Sequence, residues 1–173
     1  MRGCFIAVAL LLQAMAHGQN IFDVARTNDL AALYKMVRLN PDTVNSKNAS
    51  GHTPLILAAY NNQVEMVDKL IQSGADVNYT FSQGSAIHGA AFKGHLDIVK
   101  LLVKNGVDID EPDQNKTTPL IYATLFGHTE LAKYLYVNGA NPNYSDATGS
   151  SAINYAESLN NEILLNTFKS QKE

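Results

Sequence analysis

Three stretches of this chain repeat one another in phase. Residues 48–78 read NASGHTPLILAAYNNQVEMVDKLIQSGADVN, residues 80–110 read TFSQGSAIHGAAFKGHLDIVKLLVKNGVDID, and residues 113–143 read DQNKTTPLIYATLFGHTELAKYLYVNGANPN. Gly74, Gly106 and Gly139 stand 32 and 33 residues apart, and so do Asn62, Gly94 and Gly127, and Leu55, Ile87 and Leu120. One unit of this length cannot bury its own apolar face, so the stable arrangement is a stack of units sharing a continuous core. Degraded copies flank the three, with a short helix over 21–26 followed by 29–47 at one end and 146–169 at the other. End units turn one side to water, so atypical sequence is expected there.

Within each unit the residues specify two helices and their punctuation. Thr53 and Thr118 are placed to cap a first helix with a side-chain hydroxyl. Pro54 and Pro119 follow at the first helical position, where a missing N–H costs nothing. Ala58, Ala59, Ala90, Ala91 and Ala123 are small enough to let neighbouring first helices approach. Gly94 and Gly127 can take positive φ in the turn between helices. The second helices carry apolar stripes at helical spacing: Val64, Met66, Val67, Leu70 and Ile71; Leu96, Ile98, Val99, Leu101 and Leu102; Leu131, Ala132 and Leu135.

These motifs resemble the ankyrin repeat. The matching residues are Gly51 to Ala59 (GHTPLILAA), Ile87 to His95 (IHGAAFKGH), Thr118 to Ala123 (TPLIYA), Gly74 to Asn78 (GADVN) and Gly139 to Asn143 (GANPN). The resemblance implies an all-α repeat solenoid of five helix-turn-helix units: an N-terminal cap over 19–47, repeats over 48–79, 80–112 and 113–145, and a C-terminal cap over 146–173. Departures are local. Ser85-Ala86 replaces Thr-Pro, Ile56 and Ile121 replace the family's His, and Asp110 replaces an Asn. The link between the second and third units is one residue short, which should distort the loop around Tyr79 to Gln83. An array of moderate stability is expected.

Residues 1–18 read differently from the rest. Arg2 precedes an unbroken apolar run, Cys4 to Leu12, and Ala14 and Ala16 then form a small-residue cleavage site, with Ala16 and Gly18 as a second candidate. The apolar stretch to Ala16 is about 13 residues, against roughly 20 for a spanning helix, so a signal peptide is preferred over a retained anchor. The mature protein is therefore expected to be periplasmic or secreted and free of the membrane. Cys4 is the sole cysteine in the chain. Its removal leaves no disulfide, thiolate ligand or cysteine nucleophile.

The remaining chemistry is sparse. Charged residues are 17% of the chain, with a net charge of −3 and both signs interspersed, so no basic patch recommends nucleic acid as a partner. His88, His95 and His128 sit where the family uses His structurally, and no His pair has the i, i+4 spacing of a zinc site. No nucleophile elbow or phosphate loop occurs. Glu65, Asp97 and Glu130 recur once per unit, as a solvated face would. No catalytic residue, metal or cofactor is expected, and the chain reads as a non-enzyme and a monomer. Four N-x-S/T sequons begin at Asn48, Asn78, Asn115 and Asn143. They read as by-products of the Asn-rich turns, which leans toward a bacterial setting.

The resemblance also implies where a protein partner would dock, namely on the hairpin tips and the exposed side of the first helices. By register these positions include His52, Phe81, Gln114 and Asn115 at the tips, with Tyr79 and Tyr144 near the loops. The helix ends contribute Tyr60 and Asn61, Phe92 and Lys93, and Leu125 and Phe126. Tyr60, Phe92 and Leu125 share one slot in three successive units, forming either a binding ladder or side chains folded down to complete the core. Exported bacterial relatives of this type suggest protection of an envelope enzyme such as a catalase, or neutralisation of a toxin. A secreted effector acting on a host protein is the alternative.

Overall fold

The computed structural model describes residues 20–170; the reading of 1–18 as a signal peptide lies outside the described residues. Among these residues the chain forms ten α-helices in five pairs: α1 (Ile21–Thr27) and α2 (Leu30–Leu39), α3 (Pro54–Tyr60) and α4 (Val64–Gln72), α5 (Ala86–Lys93) and α6 (Leu96–Lys104), α7 (Pro119–Leu125) and α8 (Thr129–Val137), α9 (Ala152–Ser158) and α10 (Glu162–Lys169). A 3₁₀ turn, Pro41–Asn45, follows α2. The odd-numbered helices pack against one another along an inner row, and the even-numbered ones from α4 to α10 form an outer row behind them. No described helix is long and apolar enough to cross a membrane.

The punctuation behaves as its chemistry requires. Thr53 Oγ1 accepts from the Ile56 N–H at 3.3 Å, and Thr118 Oγ1 from the Ile121 N–H at 3.4 Å. Ser85 and Ser151 stand in the same place. The turn between paired helices needs a left-handed residue in every unit. Gly94 and Gly127 supply it at φ 76° and 73°, and Asn28, Asn62 and Asn160 do so elsewhere, asparagine being among the side chains that tolerate that region.

The core is one continuous stripe. Leu70, Leu102, Leu135 and Leu164 are fully buried on the outer row, behind Leu55, Ile87 and Leu120 of the inner row, and Leu33 of α2 is fully buried as well. Burial of each such side chain contributes about 1.5–3 kcal/mol relative to leaving it in water. The expected stripes hold for Met66, Val67, Ile98, Val99, Leu131 and Ala132, which are buried. Val64 departs from expectation and is 40% exposed. It is the first residue of α4, its side chain leans toward the helix N-terminus, and no preceding turn is there to cover it. Ile71, Leu96 and Leu101 are only half-buried, on the flank of the same stripe.

Polar side chains stitch each unit to the next. His95 Nε2 donates to the Tyr60 carbonyl at 3.2 Å and His128 Nε2 to the Phe92 carbonyl at 3.1 Å, since a carbonyl can only accept. Gln63 Nε2 makes the same bond to the Arg26 carbonyl at 2.9 Å. On the other side, Asn45 bridges to Gly74 and Asp76, and Asn78 to Gly106 and Asp108. Asp110 accepts from the Asn141 N–H with both oxygens but has no amide to donate onward, which is the physical cost of the Asn-to-Asp departure.

The shortened link has a definite result. In three units an Asn or Asp opens a five-residue loop, and its Oδ1 accepts the N–H groups two and four residues on: Asn48 from Ser50 and His52, Asp113 from Asn115 and Thr117, Asp146 from Thr148 and Ser150. With one residue missing, Phe81 and Gly84 instead pair backbone to backbone in a tight turn, at 3.1 and 2.9 Å. The expected distortion around Tyr79 to Gln83 is thus an orderly change of turn type.

Candidate functional site

The groove side of the inner row carries two parallel series of positions, one helical turn apart. The first, at the helix ends, runs Arg26, Tyr60, Phe92, Leu125 and Ser158; the second, three residues earlier, runs Asp23, Leu57, Gly89, Tyr122 and Tyr155. The three middle units therefore present a large apolar side chain in the first series, bounded by Arg26 at one end and Ser158 at the other.

Tyr60, Phe92 and Leu125 are 43%, 36% and 37% exposed, while the Tyr60 and Phe92 carbonyls are held from behind by His95 and His128. The first two rungs are thus bonded at their carbonyls and open at their side chains. Its rings also organise one another. Tyr60 and Phe92 lie nearly parallel with centroids 6.4 Å apart, and Phe92 receives Phe126 at 4.6 Å and Tyr122 at 5.9 Å in edge-to-face contacts. Such aromatic pairs add about 0.5–1.5 kcal/mol beyond area burial. The side chains therefore neither fold into the core nor wave freely in water.

Between the inner helices and the hairpins runs a groove of about 680 Å³. Seven of the residues expected from sequence line it: His52, Tyr60, Asn61, Phe81, Phe92, Gln114 and Asn115. His52 meets Phe81 edge-on at 4.7 Å, so the tight turn of the third unit leans on the hairpin of the second. Lys93 stands outside the groove with its Nζ 5.1 Å above the Tyr60 ring. Leu125 and Phe126 border a second, shallower hollow toward Leu159 and Ile163. Tyr79 and Tyr144 do not line the groove. Tyr79 is half-buried, donates its hydroxyl to the Gly51 carbonyl at 3.1 Å, and carries Lys47 Nζ 4.1 Å over its ring.

Sequence reasoning missed Arg26, Leu57, Gln83, Gly89, Asp113 and Tyr122, all of which line the groove. Tyr122 and Leu57 could have been found by counting one helical turn back from the ladder. The glycine could not, because its contribution is the absence of a side chain. Asp113 is buried and bonded through both oxygens: Oδ1 accepts from the Asn115 and Thr117 N–H groups at 2.8 Å each, and Oδ2 accepts the Tyr122 hydroxyl at 2.8 Å. Tyr155 and Asp146 repeat this pairing at 2.7 Å in the last unit. Burial first, then the bond to Asp113, pushes the Tyr122 hydroxyl up to about 12.

His88 lies at the groove floor. Its Nε2 donates to the Thr117 carbonyl at 3.2 Å, which leaves Nδ1 to accept from Ser85 N–H and Oγ at 3.1 and 3.0 Å. Burial lowers its pKa against the opposing pull of Asp113, so the ring is a neutral structural linker. Among the described residues no group of three His, Cys, Asp or Glu side chains could hold a metal ion.

The family model for ankyrin repeats (3 copies) matches residues 21–113 and 87–169. Among curated proteins, the chain is 30% identical over 116 residues to inversin of Canis lupus familiaris, covering 66% of this chain and 11% of that protein. It is 41% identical over 75 residues to the B-cell lymphoma 3 protein homolog of Mus musculus, covering 43% of this chain and 17% of that one. Neurogenic locus notch homolog protein 1 of Danio rerio is 35% identical over 119 residues, covering 68% and 5%. The chain thus spans a small part of each of these relatives.

Proposed function

This chain belongs to the ankyrin-repeat family, and from that premise we propose that it is a non-catalytic interaction module that binds a protein partner through its inner groove. Ankyrin repeats generally mediate protein–protein interaction, and the surface that a repeat stack offers for it is the extended face along its curvature. The observation that carries the reading is the apolar ladder of Tyr60, Phe92 and Leu125, about two-fifths exposed, with the first two held by bonds to their carbonyls beside a groove with polar amides at its rim. Rigid aromatic anchors in a concave setting are the groups that supply most interface energy.

In this reading the module works in the cell envelope or the secreted space. The support is the composition of residues 1–18, with Arg2, the apolar run to Leu12 and the small residues at Ala14 and Ala16. There it would shield an envelope enzyme or block a toxin. A second reading is a secreted effector that engages a host protein, resting on the same residues 1–18.

The test is capture by the wild-type chain and by a Tyr60→Ser/Phe92→Ser double variant from extracts of the source cell. A protein retained by the first and lost by the second, with circular dichroism unchanged and melting only slightly lower, is the expected result. Identical recovery by both, or collapse of the double variant, would remove the ladder from the binding account.

A further inference from the structure

The second inner series breaks at its centre. Leu57 and Tyr122 flank a glycine, Gly89, in the middle of α5. An interior helical glycine costs about 1 kcal/mol relative to alanine. A Cβ at Gly89 would meet nothing closer than the Tyr60 side chain at 3.6 Å, an ordinary van der Waals contact. Neither its backbone angle nor crowding calls for glycine here. What the missing side chain does create is a gap in the groove floor, walled by Tyr60, Phe92 and Tyr122.

We propose that the gap over Gly89 is an anchor pocket for one uncharged apolar side chain, aromatic or branched, from a partner segment that also carries a carboxylate toward Arg26. The proposal rests on the inner-groove reading and names its occupant. The walls are rings. The Asp113 carboxylate that lines the groove has both oxygens committed to two N–H groups and the Tyr122 hydroxyl, and His88 has both nitrogens engaged. The pocket therefore offers an incoming cation no uncommitted anion. Lys93 already sits over the Tyr60 ring, and Arg26 stands at the end of the ladder, so a partner cation would meet like charge from both. An uncharged insert pays no such desolvation, and a neighbouring carboxylate finds Arg26. Arg26 is bonded to Asp23 at 3.0 Å on an exposed surface, a pair weak enough to be shared.

The probe is a random peptide library displayed on phage, selected on the full chain and rescreened on Gly89→Leu, Gly89→Ala and Arg26→Ala variants. The expected binders share one Phe, Tyr, Trp, Leu, Ile or Val beside an Asp or Glu. They lose about tenfold or more in affinity on Gly89→Leu, which fills the gap as Leu57 fills its own unit. They lose severalfold on Arg26→Ala. Gly89→Ala, expected to melt at or above the wild-type temperature, should bind with a smaller loss and so shows that folding is not the cause. Binders anchored by Lys or Arg, or an absence of any binder, overturn the proposal. Binders lost on Tyr60→Ser/Phe92→Ser but indifferent to Gly89→Leu also overturn it, while leaving the inner-groove reading intact.

Discussion

Replacing Tyr122 by Phe removes one hydroxyl and nothing else, and its effect can be worked from the Asp113 site. The hydroxyl donates to Oδ2 of a buried carboxylate at 2.8 Å, while Oδ1 keeps its two backbone donors. A hydrogen bond to a charged group contributes about 1.5–3 kcal/mol. Because the Tyr122 side chain is partly exposed, water can replace some of it, and about 1–1.5 kcal/mol is the expected loss at neutral pH. For an array of this size that lowers the melting point by about 2–6 °C. The sign with pH follows from linkage. The folded-state pKa is raised from the ordinary 10 to about 12, so the contribution is complete below pH 10 and is lost as pH rises through about 12. Urea titrations of wild type and Tyr122→Phe at neutral pH and at pH values between those two should show a gap that narrows upward. Asp113→Asn keeps the loop, as Asn48 does in its own unit, but cannot accept the phenol proton on that side. A double-mutant cycle should then return a coupling of about 1 kcal/mol. Equal stability at neutral pH, a gap that does not narrow, or near-zero coupling would refute the reasoning.

Leu102→Ala opens a void at the centre of the outer row, where the side chain is fully buried, and should cost about 3–5 kcal/mol in chemical denaturation. A loss under about 1 kcal/mol would mean that the stack closes around the void. His88→Asn places at the third unit the residue that Asn154 supplies in the last one. The folded His88 has a lowered pKa, so the unfolded chain takes up a proton that the folded one refuses. Its stability is present above the ordinary 6.5 and is lost as pH falls toward the folded value. Denaturation midpoints at pH 7 and 5 should fall less for His88→Asn than for wild type, and parallel falls would contradict this.

The helical pairs were legible in the sequence because each carries its own local instructions. Thr53-Pro54 and Thr118-Pro119 start helices by capping chemistry, and the left-handed turns follow from Gly94, Gly127 and Asn62. The roles of His95 and His128 were legible for the same reason, as repeated residues in a repeated setting. Val64 was not, because spacing alone cannot say whether the turn before it will cover it. The lining of the groove was legible in part. Tyr60, Phe92 and Asn115, found by register, line it, whereas Tyr79 bonds the Gly51 carbonyl and does not.

The sequence by itself determined the all-α stack, its period and the slots where large apolar side chains recur, since each of these depends on neighbours within one unit. Only the tertiary structure decided that the Tyr60 and Phe92 slots line a groove, that the shortened link becomes a tight turn leaning on His52, and that Gly89 lies in the groove lining with room beside it. The physical reason is that a groove is made of surfaces from several units at once. Its depth depends on what each neighbour contributes, including the one that contributes nothing.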